Sequence, residues 1–498
     1  MKNTFYVATS IAYVNSQPHI GYALELVQAD VLARYNRLLG KEVFFLTGTD
    51  EHGVKIAEKA KEEGVTPQEL VDKNSALFRD LGKLLDLSND NFIRTTDDYH
   101  KEFARKLWTT MFENGDIYKA NYEGLYCVGC EKYVLEKELI DGNCPIHKTP
   151  PQKVNEENYF FKLSKYSAEI KAKIESDELR ILPKSRKNEI LSVLEEGLTD
   201  ISFSRPKKVL NWGIEVPNDA DHVMYVWCDA LSNYASGVDL EKFWPTEVNL
   251  IGKDILRFHA AIWVGMLLSV KMALPRSIYV HGFITSEGEK MSKSMGNVVD
   301  PVGIVAKYGV EATRYYLLKE IPTSGDGDFS KERFEIVYKD ELANVFGNLV
   351  SRVLAMNQKY FEGQVPAKGD DDTFAAAAEE TWKIYHQYIG DFDLKKALEA
   401  VVEFMNKANK YVEDTKPWVL VKENPERLAQ VIYNLLEAIR QAALMFLPFL
   451  PTSAQKILGY LQMGPVTKFE NLQTWGVLAS GTVLEKGEIL FPRLAEEV

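Results

Sequence analysis

The chain has 498 residues, 46% hydrophobic and 26% charged, with a formal net charge of −13. That length allows roughly two to four domains and a large core, while the acidic balance excludes a general nucleic-acid coat protein, whose affinity would come from cations on phosphates. A local basic surface for one specific RNA remains compatible with it.

The chain opens on "TFYVAT", a short β-rich run, followed by the polar loop "YVNSQPHIGY" with Pro18 and Gly21. From Ala23 onward Leu24, Val27, Val31 and Leu38 recur at helical spacing until Gly40 stops the helix. "EVFFLTGTDEHG" then gives a hydrophobic strand ending in a polar turn. Strand, crossover helix, strand begins a parallel α/β sheet, whose ligands bind at the carboxyl ends of the strands. Residues 115–222 interrupt this pattern with a cysteine cluster and mixed segments, and read as an insertion. The pattern resumes over 223–330 with "HVMYVWCDALSNY" and "VNLIGKDILRFHAAIWVGML". In the latter, the apolar run Ala260 to Val270 is too short to span a bilayer and reads as a buried helix. Ser277 to Thr285 reads as one strand, residues 287–297 ("EGEKMSKSMGN") as a cationic loop, and "VVDPVGIVAKYGVEATRYYLLKE" as a helix with Asp300 as its cap and Pro301 in the first turn. Over 331–498 strand signals fade, and amphipathic helices of bundle type follow. The start of the chain carries no secretory pattern, so a cytoplasmic protein without a membrane partner is expected.

Of four cysteines, three crowd into one short stretch. Cys127-Val-Gly-Cys130 and Cys144-Pro-Ile-His147 are two chelating pairs, and a Cys₃His set leaves no open position, so it points to one structural zinc. The plainer alternative is a chance cluster of buried thiols. Cys228, alone beside Trp227, reads as a small buried side chain.

Two motifs suit phosphate. "PHIGY" sits where the first strand turns into the first helix, and helix-terminal amides attract anions there. Gly21 permits close approach of a nucleotide, and His19 can donate a hydrogen bond to a phosphate oxygen. In "KMSKS", Lys290 and Lys293 stand on flexible stems in a loop of small residues. Nucleotidyl transfer needs positioning and charge cancellation rather than covalent help. Taken singly, the first motif reads as a capping detail and the second as a solvated loop.

Together these stretches resemble the class I aminoacyl-tRNA synthetases, whose "HIGH" and "KMSKS" signatures they match. Within that family "ATSIAYVNSQPHIGY", "FLTGTDEHG", "YVWCDALSNY", "IGKDILRFH", "VHGFIT" and "NKYVEDTKPW" are similar to blocks of the methionyl branch. One departure is Tyr22 in place of the last signature histidine.

The resemblance implies a Rossmann-type parallel-sheet catalytic domain in two halves (1–114 and 223–330), an inserted zinc-knuckle connective domain (115–222) and an all-α anticodon-binding bundle (331–498). It implies activation of methionine by Mg²⁺-bound ATP and transfer to the 3′ end of its tRNA, initiator and elongator. It assigns catalysis to His19, Lys290 and Lys293, and ATP binding to those three with Gly21, Tyr22, Glu25, Lys253, Asp254 and Ser292. It assigns methionine to Ile11, Tyr13, Asp50, Trp227, Ala230, Leu231, Tyr234, Ile255 and His259, with Asp50 holding the ammonium. On the residues alone, Trp227 and Ile255 read as core and His259 as a core histidine. Asn348, Arg352 and Trp418 are implied to read the anticodon; without the resemblance they read as two surface polar residues and a bundle-core tryptophan. No length remains for an appended tRNA-binding barrel, so a monomer is expected. The competing readings are a class I enzyme for leucine, isoleucine, valine or cysteine, and a noncatalytic tRNA-binding paralogue.

Overall fold

The computed structural model describes residues 3–129, 132–134, 136–145, 148–291, 297–322, 325–371 and 373–494. Its centre is a seven-stranded parallel sheet: β1 (Thr4–Thr9), β2 (Ala12–Tyr13), β3 (Glu42–Asp50), β4 (Asn91–Arg94), β5 (Arg180–Leu182), β6 (Val248–Gly252) and β7 (Ser277–His281). Across the sheet the order is β4, β3, β1, β6, β7, β5, and β2 continues the β1 edge along β3, Tyr13 opposite Asp50. The first crossover is α1 (Ile20–Leu38).

Side chains of a strand alternate between faces, and here the alternation feeds two separate cores. Phe5, Val7, Val43, Phe45, Val248, Leu250 and Tyr279 enter one core; Tyr6, Ala8, Leu46, Ile251, Ile278 and Val280 enter the other. Both faces are covered, which is why the strands read as near-continuous apolar runs. The first core does not stop at α1. It runs on through Val310–Glu320 into the C-terminal helices, so that Leu24 and Leu435 belong to one apolar cluster. Those helices are Asn348–Phe361, Thr373–Gly390, Leu394–Thr415, Pro425–Phe446 and Pro451–Tyr460.

Several stretches differ from the sequence reading. Within the span read as an insertion, Ile117–Cys127, Lys132–Val134, Gln152–Phe161 and Ile201–Ser202 form their own antiparallel sheet, but β5 pairs in parallel with β7 and is built into the main sheet. The strand read over 277–285 breaks after His281. A Cβ on Gly282 would stand 2.0 Å from the Gly325 carbonyl oxygen, so glycine lets the two backbones touch there. Ile284–Ser286 leaves the sheet and pairs with Gly327–Phe329 and, across a turn at Glu287 and Gly288, with Glu289–Lys290. The start of the cationic loop is thus a hairpin. Asp300 caps the next helix as expected, accepting from the amides of Val302 and Gly303. That helix ends at Tyr308, because Gly309 turns the chain at φ +88°, and Val310–Glu320 is a second one. The run read as a helix over 260–270 begins as a π-helical turn, Phe258–Trp263, before Val264–Ser269.

Arg314, in the second of those helices, is fully buried and ties three parts of the chain together. Nη2 donates to Asp30 Oδ2 of α1 at 2.7 Å, Nη1 to the Leu85 carbonyl at 3.1 Å, and Nε to the Phe449 carbonyl of the bundle at 2.9 Å. Asp30 also accepts from Arg34 Nε and from the Ser88 amide and hydroxyl. Burial raises the Asp30 carboxyl pKa, but the two guanidinium groups and these hydrogen bonds more than offset it and leave it lowered. Breaking one member of such a pair strands a charge. Arg314→Met is expected to cost about 3–5 kcal/mol in urea unfolding, whereas Asp30→Leu combined with Arg314→Met costs clearly less. Equal losses would deny the pair its role.

Candidate active site

The carboxyl ends of β1, β3, β6 and β7 open on one side of the sheet, and the expected site residues gather there in two groups. The first surrounds the start of α1. His19 is the N-cap, and its Nδ1 accepts from the Gly21 amide at 3.1 Å, so the ring proton resides on Nε2. Its ring keeps access to solvent, yet the protein packed around it lowers its pKa below 6.5. His19 is therefore a neutral donor at the end of a helix.

Ile20 donates its amide to the Val299 carbonyl at 3.2 Å, which brings the far end of the cationic loop directly onto the His19 turn. A second tie runs beneath it. Glu25 Oε1 accepts from the Ser10 amide and hydroxyl at 2.7 Å each, and Oε2 from His281 Nε2 at 2.7 Å. His281 Nδ1 faces the Gly282 carbonyl at 2.8 Å. Both partners are acceptors, and although burial lowers the His281 pKa, Glu25 raises it above the ordinary value. His281 is thus a buried cation at the strand end that feeds the hairpin. The Lys290 side chain, Ser292 and Lys293 lie outside the described residues.

Two residues expected at the nucleotide are held elsewhere. Tyr22 points inward, with its hydroxyl 3.1 Å from Thr47 Oγ1 and its ring edge-on to Phe78, and burial pushes its pKa up. Lys253 Nζ is bound to both carboxylate oxygens of Asp326, at 2.7 and 2.6 Å, and lies 4.5 Å from the Phe283 ring centre. Asp254, next to it, is close enough to His281 to add to its positive shift.

The second group forms an aromatic cluster. Trp227 stacks on Phe258 with ring centres 3.9 Å apart and planes 13° apart. His259 Nδ1 donates to the Ile255 carbonyl at 2.9 Å, so Nε2 accepts the Tyr234 hydroxyl at 2.8 Å. Burial lowers the His259 pKa to about 4, so this cluster is uncharged. Ala230 and Leu231 are buried beside it, and Ile11, Tyr13 and Ile255 pack against the same core. The wide π-helical turn places both Phe258 and His259; such turns are frequent at functional sites. Asp50, the last residue of β3, stands opposite Tyr13 in the strand pairing.

Phe258 and His281 are the residues that sequence reasoning missed. Both stood inside the quoted blocks "IGKDILRFH" and "VHGFIT", and Phe258 is next to His259, which was assigned. In the inserted sheet, Cys127 and Cys144 are buried together against Val134, while Cys130 and His147 lie outside the described residues. In the bundle, Trp418 is 43% exposed, the Arg352 guanidinium lies 5.5 Å from its ring centre, and Asn348 is exposed one turn away. Arg352 Nη1 also donates to Glu413 at 2.6 Å. Among the described residues no helix is long and apolar enough to cross a membrane.

A family model described as "tRNA synthetases class I (M)" matches residues 5–154 and 134–354, and one described as "Anticodon binding domain of methionyl tRNA ligase" matches 363–498. The chain is 43% identical over its whole length to the methionine–tRNA ligase of Caldanaerobacter subterraneus, covering 80% of that protein. It is 43% identical to that of Rhizobium meliloti, with 98% of each chain covered. Among solved structures, the methionyl-tRNA synthetase of Mycobacterium tuberculosis in complex with methionyl-adenylate superposes with a TM-score of 0.95 at 41% identity, over 99% of this chain and all of that one. A histidine-capped helix start, an uncharged aromatic cluster and these full-length likenesses agree: the chain belongs to the methionyl-tRNA synthetases of class I.

Proposed function

We propose that this chain is a methionine–tRNA ligase, which activates methionine with ATP and transfers it to tRNA. The single observation that carries the reading is the bond from Ile20 to Val299, which ties the chain shortly beyond the second signature to the turn that carries the first. The methionine carboxylate is the nucleophile and is already ionised, so no general base is needed. The Nε2 proton of His19 is free to meet the phosphate charge that builds during attack, and Lys290 and Lys293, with Ser292, would meet it from the loop. Asp50 would pair with the α-ammonium, while the thioether would rest among Trp227, Tyr234 and neutral His259. A soft aromatic surface suits sulfur, and a positively charged histidine there would not.

For ATP, Lys253 would exchange Asp326 for phosphate, with Asp254 and Gly21 near the ribose and phosphates. Glu25, its oxygens already engaged by Ser10 and His281, would shape this site from behind. Magnesium would arrive with ATP. Cys127, Cys130, Cys144 and His147 would hold one zinc; two soft donors buried in one small cluster fit that ion, which would brace the inserted sheet. Trp418, Arg352 and Asn348 form an exposed aromatic–guanidinium–amide surface suited to unpaired anticodon bases. Action in the cytosol is inferred from the nature of the tRNA partner.

Pyrophosphate exchange measured with each of the twenty amino acids tests the reading. Methionine alone is expected to drive it, and exchange driven by leucine or cysteine instead would overturn the specificity. Trp418→Ala is expected to reduce tRNA charging by about 5- to 150-fold, the worth of one stacked base, and to leave adenylate formation intact. A parallel loss of both would remove the anticodon role. Metal analysis of the purified protein is expected to find about one zinc per chain, released by prolonged chelation; a zinc-free protein with full activity would dismiss the knuckle.

A further inference from the structure

Asp229 sits in Val226–Leu231, two residues after Trp227 and one before Ala230, and is 1% exposed. Each of its carboxylate oxygens is taken by a different histidine. Oδ2 lies 2.6 Å from His52 Nδ1 and Oδ1 lies 2.7 Å from His100 Nε2. An ionised carboxylate only accepts, so those two nitrogens carry the protons. Burial raises the Asp229 pKa, but the imidazoles more than offset this and hold it at about 2.

The three residues come from separate parts of the fold. His52 is two residues beyond Asp50, in the turn that ends β3. That turn is itself fixed: the Glu51 carboxylate takes Arg94 Nε at 2.7 Å and Nη2 at 2.9 Å, and Trp212 Nε1 donates to the Glu51 carbonyl at 2.6 Å. His100 comes from Asp98–Glu113 and is fully buried; its Nδ1 meets Ser236 Oγ at 2.8 Å, at the end of Asn233–Ser236, which carries Tyr234. One carboxylate therefore fastens the turn bearing Asp50 to the helix bearing Trp227, Ala230 and Leu231. Through His100 it also fastens that helix to the next. Neither histidine nor Asp229 is among the residues assigned to methionine.

Packing alone gives no reason for this arrangement. A buried carboxylate with two imidazoles costs desolvation that apolar side chains of the same volume would avoid. What it supplies is a fixed distance and direction between two walls, set by short charge-assisted bonds. We propose that His100 is a positioning residue for the amino acid: acting through Asp229 and together with His52, it sets the separation of Asp50 from Trp227, and hence the affinity for an amino acid with a free ammonium and a thioether side chain. The proposal rests on the methionine pocket described under the proposed function.

The test uses the full chain and pyrophosphate exchange, with methionine and ATP varied in turn. His100→Phe keeps a ring and removes both nitrogen contacts. It is expected to raise the KM for methionine about tenfold, as for one lost charge-assisted hydrogen bond, while the KM for ATP and kcat change less than threefold. His100→Gln, whose amide can still donate to Asp229, is expected to recover most of the loss. Unchanged methionine KM in His100→Phe, or equal rises for methionine and ATP, overturns the proposal. If His100→Phe does not fold, Ser236→Ala is read in its place: a two- to threefold rise in methionine KM at an unchanged unfolding midpoint supports the positioning role, and no rise overturns it. Failure of the proposed function has a different signature, namely no methionine-driven exchange by the unmodified protein.

Discussion

The buried pair between Asp30 and Arg314 is the constraint around which the molecule is arranged. Asp30 lies in the middle of the helix whose first turn carries His19, and that helix is buried on nearly every side, with Glu25, Gln28 and Asn36 enclosed as well as its apolar residues. A helix so enclosed has no solvated face for its charges, and Asp30 is tolerated because guanidinium groups and the Ser88 donors surround it. The same guanidinium holds carbonyls from two other parts of the chain, at Leu85 and at Phe449. The position of the His19 turn is therefore fixed from behind by the catalytic part and the bundle at once.

On that fixed helix the site divides by charge. At the helix start the groups are a donor and a cation: the Nε2 proton of His19, and His281 held protonated by Glu25. A few residues away the surface is aromatic and neutral, with His259 kept uncharged by burial. A zwitterion with an apolar tail and a polyphosphate ask for opposite surroundings. The parallel sheet supplies both by ending adjacent strands in different loops.

Much of this was legible because its signals are local. The cap at His19, the stop at Gly40 and the Asp300–Pro301 start of the later helix follow from residue types within a few positions, and each occurs in the structure. What the residues alone did not disclose depends on distant partners. Trp227, Ile255 and His259 read as core until a family resemblance assigned them. The ion pair from Glu25 to His281 spans 256 residues and leaves no periodic trace. Nothing in the residues around Arg314 discloses that the bundle closes over it. β5 is three residues long, too short to show alternation, and so was hidden inside the span read as an insertion. Gly282 looks like any glycine in a strand, and only its contact with the Gly325 backbone shows why the chain must turn there.

The first apolar core, shared between one face of the sheet and the C-terminal helices, has a consequence for dissection of the molecule. Nothing in it separates a catalytic oil phase from an anticodon one; Tyr279 of β7 meets Phe392 between two bundle helices, and Tyr35 of α1 meets Tyr385. Scission near residue 330 would leave two fragments with wet aromatic faces rather than two independent modules. The bundle is a wall of the enzyme, packed directly against the helix that begins at His19.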